Sequence, residues 1–282
     1  MKKESARTHS VPNHMHKFLR TNQAISVLLP LALCALLAGA ASTSMGAVIP
    51  KAFAAGCNLF ANELDAFPNN NIANVLPVVP EGTLVFKFIS PKSGFVLESF
   101  IGGAWDPGTT FLNPGDGAVL RTPVAFATVL AGAPLAAPLE CKCMTKGHPY
   151  LLGRRTAGIG PSAYEDFAGV PPVAGATLFQ FIPGPGQDCG IFAPPNYLIH
   201  TFVGGAWVPG APFVPFGEAV WIQTPDVPPA IALGAGSISW TGCWRLESAA
   251  ALGGPWLPVP GATSPFALPA AGGFYRLVCA ID

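Results

Sequence analysis

Short apolar runs separated by glycine and proline make up most of the chain after residue 56. The runs span four to seven residues rich in Val, Ile, Phe, Leu and Thr, a pattern typical of β-strands between turns. Residues 86–88 (FKF) alternate apolar and polar positions, as a half-buried strand does. Only residues 72–76 are expected to form a helical turn, which must stop before Pro77. The pattern predicts an all-β fold.

One sequence unit occurs twice. FIGGAWDPG at 100–108 matches FVGGAWVPG at 202–210, an offset of 102 residues. Upstream, TLVFKF at 83–88 matches TLFQF at 177–181 with an offset of 93, so the second copy has nine additional residues, in a turn-rich loop near 184–190. Two strands around a Gly-Gly turn are typical of a hairpin.

The repeat predicts the organisation of the main domain. We assign copy 1 to residues 56–126 and copy 2 to residues 127–226. A single hairpin-rich copy cannot cover its own apolar face. We therefore expect the two copies to share a core in one pseudo-symmetric β domain.

A different pattern follows the proline-rich bridge at 227–229. Residues 231–282 predict a small C-terminal β module of about five strands, at 237–240, 244–248, 257–259, 261–266 and 274–278. A module of this size buries little apolar surface. It is therefore expected to need a disulfide or a neighbour for stability.

The N-terminus has the three parts of a secretory signal. Residues 1–20 carry five basic residues and one acid, residues 24–41 are apolar, and small residues follow. Small-x-small patterns at 38–40 and 52–54 place cleavage between 40 and 55. The second is preferred, which gives a signal over 1–54 and a secreted or cell-envelope protein. The alternative is an uncleaved anchor, and contact with the membrane is expected only in that case.

Charge and cysteine content narrow the classes of partner. After residue 51 there are nine basic and fourteen acidic residues, a net charge of −5, without a basic cluster. This excludes a typical nucleic-acid-binding protein. Cys34 lies in the signal, and an even number of cysteines in an exported chain predicts disulfides. The six candidates are Cys57, Cys141, Cys143, Cys189, Cys243 and Cys279. We predict a Cys243–Cys279 bond within the last module, with the other four cross-linking the repeat region.

Histidine and cysteine offer little catalytic or metal chemistry. A nucleophile needs a His base and an orienting acid, and the chain has no G-x-S-x-G motif. His200 lies in a strand-like run and is predicted to face solvent. Cys141-x-Cys143 and His148 are zinc-type ligands, but a structural site needs four ligands with wider cysteine spacing. Disulfides are the preferred interpretation, and we predict no metal and no cofactor.

Two acids occupy equivalent positions in the copies. Asp116 and Glu218 could converge as a glycosidase pair. Acids that follow glycine at a turn usually bond the turn backbone, which is the preferred interpretation. Glu165 and Asp166 are predicted to lie in a solvated loop. We therefore assign no catalytic residue, and a hydrolase is the least favoured hypothesis.

Aromatic residues give the second hypothesis. Trp105 and Trp207 follow the Gly-Gly pairs at equivalent places, with Trp221 and Tyr197 nearby in sequence. They could form a carbohydrate-binding surface, or they could pack in the core, where a large apolar area is most useful. The leading hypothesis is a non-enzymatic exported protein with a structural or adhesive role. Its predicted partners are cell-surface glycans or envelope proteins.

Two blocks resemble a known group of secreted proteins. The patterns NLFANEL, GTLVFKF, GGAWDP and NPGDG in residues 58–117, and LESA, LGGPW, VPGATSPF and FYRL in residues 246–277, carry the resemblance. They are similar to uncharacterised secreted two-repeat β proteins of the planctomycete–verrucomicrobial group, with their C-terminal β module. The second copy departs from the pattern, with Val208 in place of Asp106. The resemblance implies a secreted β protein and no catalytic residues.

Overall fold

A computed structural model describes residues 46–145, 147–184, 187, 189–190, 196–225, 230–269 and 272–279. In this part of the chain the regular secondary structure is almost entirely β-strand, with two short helices, which confirms the all-β prediction. None of the helices among these residues has the length and apolar character needed to cross a membrane. The apolar segment at 24–41 and the cleavage pattern at 38–40 lie outside the described residues.

The elements alternate short strands with turns. The strands, in chain order, are β1 (Ala47–Phe53), β2 (Gly56–Ala61), β3 (Leu64–Asp65), β4 (Leu84–Ser90), β5 (Gly94–Ile101), β6 (Ala104–Asp106), β7 (Gly117–Thr122), β8 (Phe126–Pro134), β9 (Tyr150–Leu152), β10 (Thr177–Phe181), β11 (Tyr197–Val203), β12 (Ala206–Val208), β13 (Val220–Gln223), β14 (Ile231–Gly234), β15 (Ser237–Trp240), β16 (Arg245–Ala249), β17 (Leu257–Pro258), β18 (Phe266–Ala267) and β19 (Phe274–Val278). The helices are α1 (Ile72–Val75) and α2 (Tyr164–Ala168).

The two copies of the repeat form sheets with the same strand order. Copy 1 gives β2-β7-β4-β5-β6 and copy 2 gives β9-β13-β10-β11-β12, with every pair antiparallel. The Gly-Gly turns of the two terminal hairpins are alike. Gly102 and Gly103 have φ of +65° and +81°, and Gly204 and Gly205 have φ of +61° and +84°. A side chain would strain this left-handed backbone, which explains the repeated glycines.

Equivalent residues link the two sheets. The amide of Ala61 donates to the carbonyl oxygen of Gly217 at 3.2 Å, and the amide of Gly153 donates to the carbonyl oxygen of Gly115 at 3.1 Å. In the repeat alignment Ala61 corresponds to Gly153, and Gly115 corresponds to Gly217. The contact is therefore made once in each direction. A two-fold relation between the whole copies stays a prediction.

Two apolar clusters lie in the repeat region. The larger one takes buried residues from both copies, including Leu59 and Phe88 of copy 1 and Phe167 and Trp221 of copy 2. The other is built mainly from the sheet and helix α1 of copy 1, and it also takes Phe53 of β1 and Leu130 of β8. Burying one large apolar side chain stabilises the fold by about 1.5–3 kcal/mol. The cluster shared by both copies therefore holds them together.

Strand β1 belongs to the folded body. All seven of its residues pair with β8, in a small sheet of order β1-β8-β3. Phe53 is only 3% exposed and packs against the rings of Phe60 and Phe126. The Lys51 ammonium donates to the carbonyl oxygen of Phe216 at 3.1 Å. Cleavage at 52–54 would remove this whole strand, whereas cleavage at 38–40 would keep it.

The two helices differ in how well the sequence predicted them. Helix α1 matches the predicted turn at 72–76, and the Asn71 side chain caps it by accepting from the amide of Ala73. Helix α2 lies where we predicted a solvated loop at Glu165 and Asp166, so that prediction is wrong. Its apolar residues are buried, and the Asp166 carboxylate accepts from the amide of Ala163 at 2.8 Å. Burial of one helix face outweighs the local loop pattern.

The C-terminal module consists of two three-stranded sheets. Their orders are β14-β15-β18 and β17-β16-β19. Ile238, Trp240 and Leu246 form the small buried core. Strands occupy most of four of the five predicted segments, whereas in 261–266 only Phe266, the first residue of β18, is in a strand. Strand β14 was missed because its sequence, IALG, has no alternation of apolar and polar positions, and its four residues are all exposed.

Candidate functional site

Six cysteines form three cross-links. The pairs are Cys57–Cys189, Cys141–Cys243 and Cys143–Cys279, with Cα atoms 5.9, 5.5 and 5.5 Å apart. These separations are normal for disulfides, so the prediction that all six cysteines pair is confirmed. The predicted Cys243–Cys279 bond is wrong. Each of these cysteines bonds instead to one member of the Cys141-x-Cys143 pair.

The cross-links join parts of the molecule that are distant in sequence. Cys57–Cys189 connects copy 1 to the loop inserted in copy 2, across 132 residues. The other two bonds attach one end of the antiparallel β16–β19 pair, at Cys243 and Cys279, to one short segment of the repeat region. The sulfurs of Cys141 and Cys143 are therefore not thiolate zinc ligands. Among the described residues there is no group of three His, Cys, Asp or Glu side chains that could hold a metal.

The aromatic candidates from the sequence lie in apolar clusters. Trp105 is buried in the copy 1 cluster, and its indole N–H donates to the carbonyl oxygen of Leu76 at 2.8 Å. Trp207 is half-buried against Tyr164 and Phe202. The two repeated tryptophans thus pack in separate clusters.

The other two aromatic candidates are also buried. Tyr197 donates its hydroxyl proton to the carbonyl oxygen of Cys189 at 2.6 Å. Trp221 contacts Phe88 and Phe95 edge-on, at 5.3 and 6.2 Å between ring centroids. Of these rings, Phe95 is the most exposed, at 44%. Phe95 was missed because a phenylalanine within an apolar strand gives no sign of exposure.

The two equivalent acids have separate lysine partners. Asp116 lies 2.8 Å from the Lys87 ammonium and accepts from the amide of Asn113, which is the turn role predicted from sequence. Glu218 lies 3.4 Å from the Lys51 ammonium. Burial raises the pKa of Glu218, and Lys51 opposes that shift. Both acids therefore stabilise turns and strand ends.

Glu63 is a buried acid that the sequence did not reveal. It is 3% exposed, and one carboxylate oxygen accepts from the amide of Gly217 at 2.8 Å. The other oxygen has no hydrogen-bond partner among the described residues. Burial raises the pKa of Glu63 to about 7, against the opposing effects of the Gly217 bond, Arg154 and Lys51. A glutamate just after a short strand resembles a surface residue, so nothing in the sequence marks it.

Glu98 and His200 are buried at equivalent positions of β5 and β11. The Glu98 carboxylate accepts from the amides of residues 108–110 at 2.6–3.2 Å. His200 is 4% exposed, and its Nδ1 lies 2.7 Å from the carbonyl oxygen of Gly210. The prediction that His200 faces solvent is therefore wrong. The loop that follows the hairpin folds over this face of the sheet and covers the imidazole.

Two adjoining cavities lie beside the copy 1 sheet. One, of about 500 Å³, lies over the exposed face of copy 1 and is lined by Phe86, Phe95 and Trp221. The other, of about 920 Å³, lies between the repeat region and the C-terminal module, beside Trp244. Both are lined by Ser90, Pro91 and His148. Their surfaces are mainly apolar, so the arrangement suits binding better than proton transfer.

No protein-family model, curated protein or solved structure matches this chain. The resemblance drawn from the sequence patterns stays a prediction.

Proposed function

We propose that the protein is a non-enzymatic extracytoplasmic protein with a structural or adhesive role. The observation that carries the proposal is the set of three disulfides. Such bonds form and persist in oxidising compartments and are rare in the cytosol. The N-terminal basic and apolar segments fit export to such a compartment.

The placement of the cross-links supports a role that demands durability. Two bonds attach the small C-terminal module, whose core is too small to be stable alone. Closing loops of 102 and 136 residues restricts the unfolded chain and contributes about 2–4 kcal/mol per bond. A protein built in this way stays folded outside the cell.

The polar side chains support a non-enzymatic role. The acids considered for hydrolysis, Asp116 and Glu218, are each paired with a lysine. Buried Glu98 and His200 each bond the backbone of the loop that covers them. These groups therefore stabilise the fold. The proposed partners are cell-surface glycans or envelope proteins.

Exposed apolar side chains at strand ends provide a surface for such partners. Ile101, Val203 and Val208 are each at least 57% exposed, on the outer hairpins of the two sheets. Val203 and Val208 lie on the paired strands of one hairpin, and contiguous apolar exposure marks interaction sites more often than single exposed residues do. The outer hairpins are the proposed contact surface.

Fractionation of cells that express the full chain with a C-terminal epitope tag tests the proposal. We expect the protein in the envelope or medium, with its thiols blocked, and we expect labelled protein to rebind to stripped cells. A variant with Val203→Ser and Val208→Ser should rebind less, whereas Leu252→Ser in the C-terminal module should not change rebinding. Cytosolic protein with free thiols would contradict the proposal, as would turnover of a glycan panel by the purified protein.

A further inference from the structure

The two adjoining cavities form one continuous apolar surface. The floor of the smaller one is formed by aromatic rings of both copies. Phe88 and Trp221 lie beneath, and Phe95 stands 5.5 Å from Phe88 and 6.2 Å from Trp221, measured between ring centroids. Phe95 and its strand neighbour Leu97 are 44% and 47% exposed. The exposed Phe95 ring, supported by buried aromatic rings, gives the apolar part of a ligand a preformed surface to contact.

This surface arises because copy 2 covers only part of the copy 1 sheet. In the β4–β5 register, Phe86 faces Leu97 and Phe88 faces Phe95, so these side chains share one face. Phe88 is buried in the cluster shared by both copies, whereas Phe95 and Leu97 extend beyond it. On this uncovered part of the face, Phe95 lines the cavity.

Apart from the tyrosines Tyr150 and Tyr164, the ionisable side chains around this surface are all basic. Among the described residues, the smaller cavity is lined by Arg121 and His148, and the larger one by Lys92, Lys142 and His148. No Asp or Glu is among the described lining residues of either cavity. This contrasts with the net charge of −5 over the chain after residue 51. The local charge favours an anion over a cation.

We propose that these cavities bind an anionic amphiphile, a molecule with a carboxylate, sulfate or sulfonate head and an apolar body. The head lies at Arg121 and His148, where a guanidinium can donate two parallel hydrogen bonds to an oxyanion. The apolar body lies on Phe86 and Phe95 and extends past Pro91 toward Trp244 in the larger cavity. This binding activity goes beyond the structural role and does not depend on it.

Dodecanoate binding to the purified full-length exported chain tests the proposal. We expect saturable binding by calorimetry below the critical micelle concentration, with a change in tryptophan fluorescence, since Trp221 and Trp244 line the cavities. The neutral dodecanol and the cationic dodecyltrimethylammonium should bind at least about tenfold more weakly, because only the anion gains charge-assisted bonds. The aromatic sulfonate 8-anilinonaphthalene-1-sulfonate should compete with dodecanoate.

Matched variants separate the head contact from the apolar contact. Arg121→Gln should weaken dodecanoate binding about tenfold, and Arg121→Lys should weaken it less. Phe95→Ser should weaken dodecanoate and dodecanol alike, whereas Phe213→Ser, at a more exposed ring outside both cavities, should change neither. Circular dichroism checks the fold, and exposed Arg121 keeps the test valid if Phe95→Ser unfolds.

Three outcomes would overturn the proposal. The first is equal affinity for the anionic and cationic amphiphiles. The second is a binding constant that Arg121→Gln leaves unchanged. The third is binding of a galacturonate oligomer without binding of dodecanoate, which would assign the cavity to an acidic glycan instead.

Discussion

Glu98 and His200 occupy equivalent positions in the two copies, and each forms hydrogen bonds with the backbone of the equivalent loop in its own copy, Glu98 as an acceptor and His200 as a donor. Glu98 accepts from backbone amides of residues 108–110, whereas His200 contacts a carbonyl oxygen. A carbonyl can only accept, so Nδ1 of His200 carries the proton. The loop backbone also differs between the copies: Gly108 is left-handed, with φ of +67°, whereas the equivalent Gly210 is not. The duplicated unit thus keeps its strands while its buried polar contact has diverged.

Replacing Glu98 should strongly destabilise copy 1. Glu98→Ala removes a buried carboxylate that accepts from three amides, in one buried and two part-buried hydrogen bonds, and bonds to a charged group contribute about 1.5–3 kcal/mol each. We expect the free energy of unfolding in urea to fall by at least about 3 kcal/mol. The control is Glu81→Ala, which removes similar amide contacts at an exposed turn and should cost less than about 1 kcal/mol. Equal losses for both variants would contradict this view of Glu98.

A glutamate at the equivalent position of copy 2 should destabilise the protein, because the loop there presents an acceptor instead of donors. His200→Glu places a carboxylate against the carbonyl oxygen of Gly210, and two acceptors cannot share a proton unless the acid is neutral. The parent also loses stability over this range through Glu63, so the variant is compared with the parent at each pH. We expect the loss of unfolding free energy relative to the parent, measured in urea, to be larger at pH 8 than at pH 5. His200→Gln, which can still donate, is the control. A variant as stable as the parent at pH 8 would show that the loop rearranges.

Glu63 should make the protein less stable as the pH rises. The pKa of Glu63 is about 7 in the folded protein, against an ordinary value of 4.5 in the unfolded chain, so between these values only the unfolded chain releases the proton. Folding stability from this group is complete below pH 4.5 and is lost as the pH rises to about 7, by about 3 kcal/mol in total. Urea unfolding at pH 5 and pH 8 measures the loss.

A neutral replacement separates Glu63 from the other acids. Glu63→Gln should remove most of this pH dependence, and Glu165→Gln, at an exposed position of α2, should leave it unchanged. Glu218, whose pKa burial also raises, leaves a smaller dependence in the same direction. If the parent and Glu63→Gln lost equal stability between pH 5 and pH 8, the role of Glu63 would be refuted.

The mature protein should keep strand β1. A chain that starts at Ala55 loses the seven β1–β8 residue pairs and the burial of Phe53. Removing a buried phenylalanine alone costs about 3–5 kcal/mol, so this chain should be less stable by at least that amount than one that starts at Gly46. Phe53→Ala in the longer chain is the matched control. A shorter chain of equal stability would contradict the prediction.

Removing the module's cross-links should release it locally. A variant with serine at Cys141, Cys143, Cys243 and Cys279 loses about 2–4 kcal/mol per bond. We expect rapid proteolysis after residue 230, while the repeat region, still held by Cys57–Cys189, resists. Limited proteolysis with mass spectrometry follows both regions. Equal resistance of the module with and without the bonds would show that packing alone holds it.

The sequence predicted local structure well because turns and strands are encoded locally. The Gly-Gly turns and the short helix before Pro77 lie where their residues require them. Disulfide pairing depends on which segments meet in space, so proximity in sequence favoured the wrong bond between Cys243 and Cys279.

The candidate site was harder to predict for a related reason. An isolated Glu or His within a strand indicates solvent, since burial of a charge is costly. Glu63, Glu98 and His200 are buried because a loop or the other copy covers them, and no local pattern reports such coverage. Phe95 is exposed because copy 2 covers only part of the copy 1 sheet, which no local pattern reports either.

Peptide mapping of the exported protein under non-reducing conditions tests the central claim most directly. We expect three cross-linked pairs, Cys57–Cys189, Cys141–Cys243 and Cys143–Cys279, on a chain whose N-terminus lies before Ala47. Free thiols, or a bond between Cys243 and Cys279, would contradict an exported β protein whose module is locked to the repeat region.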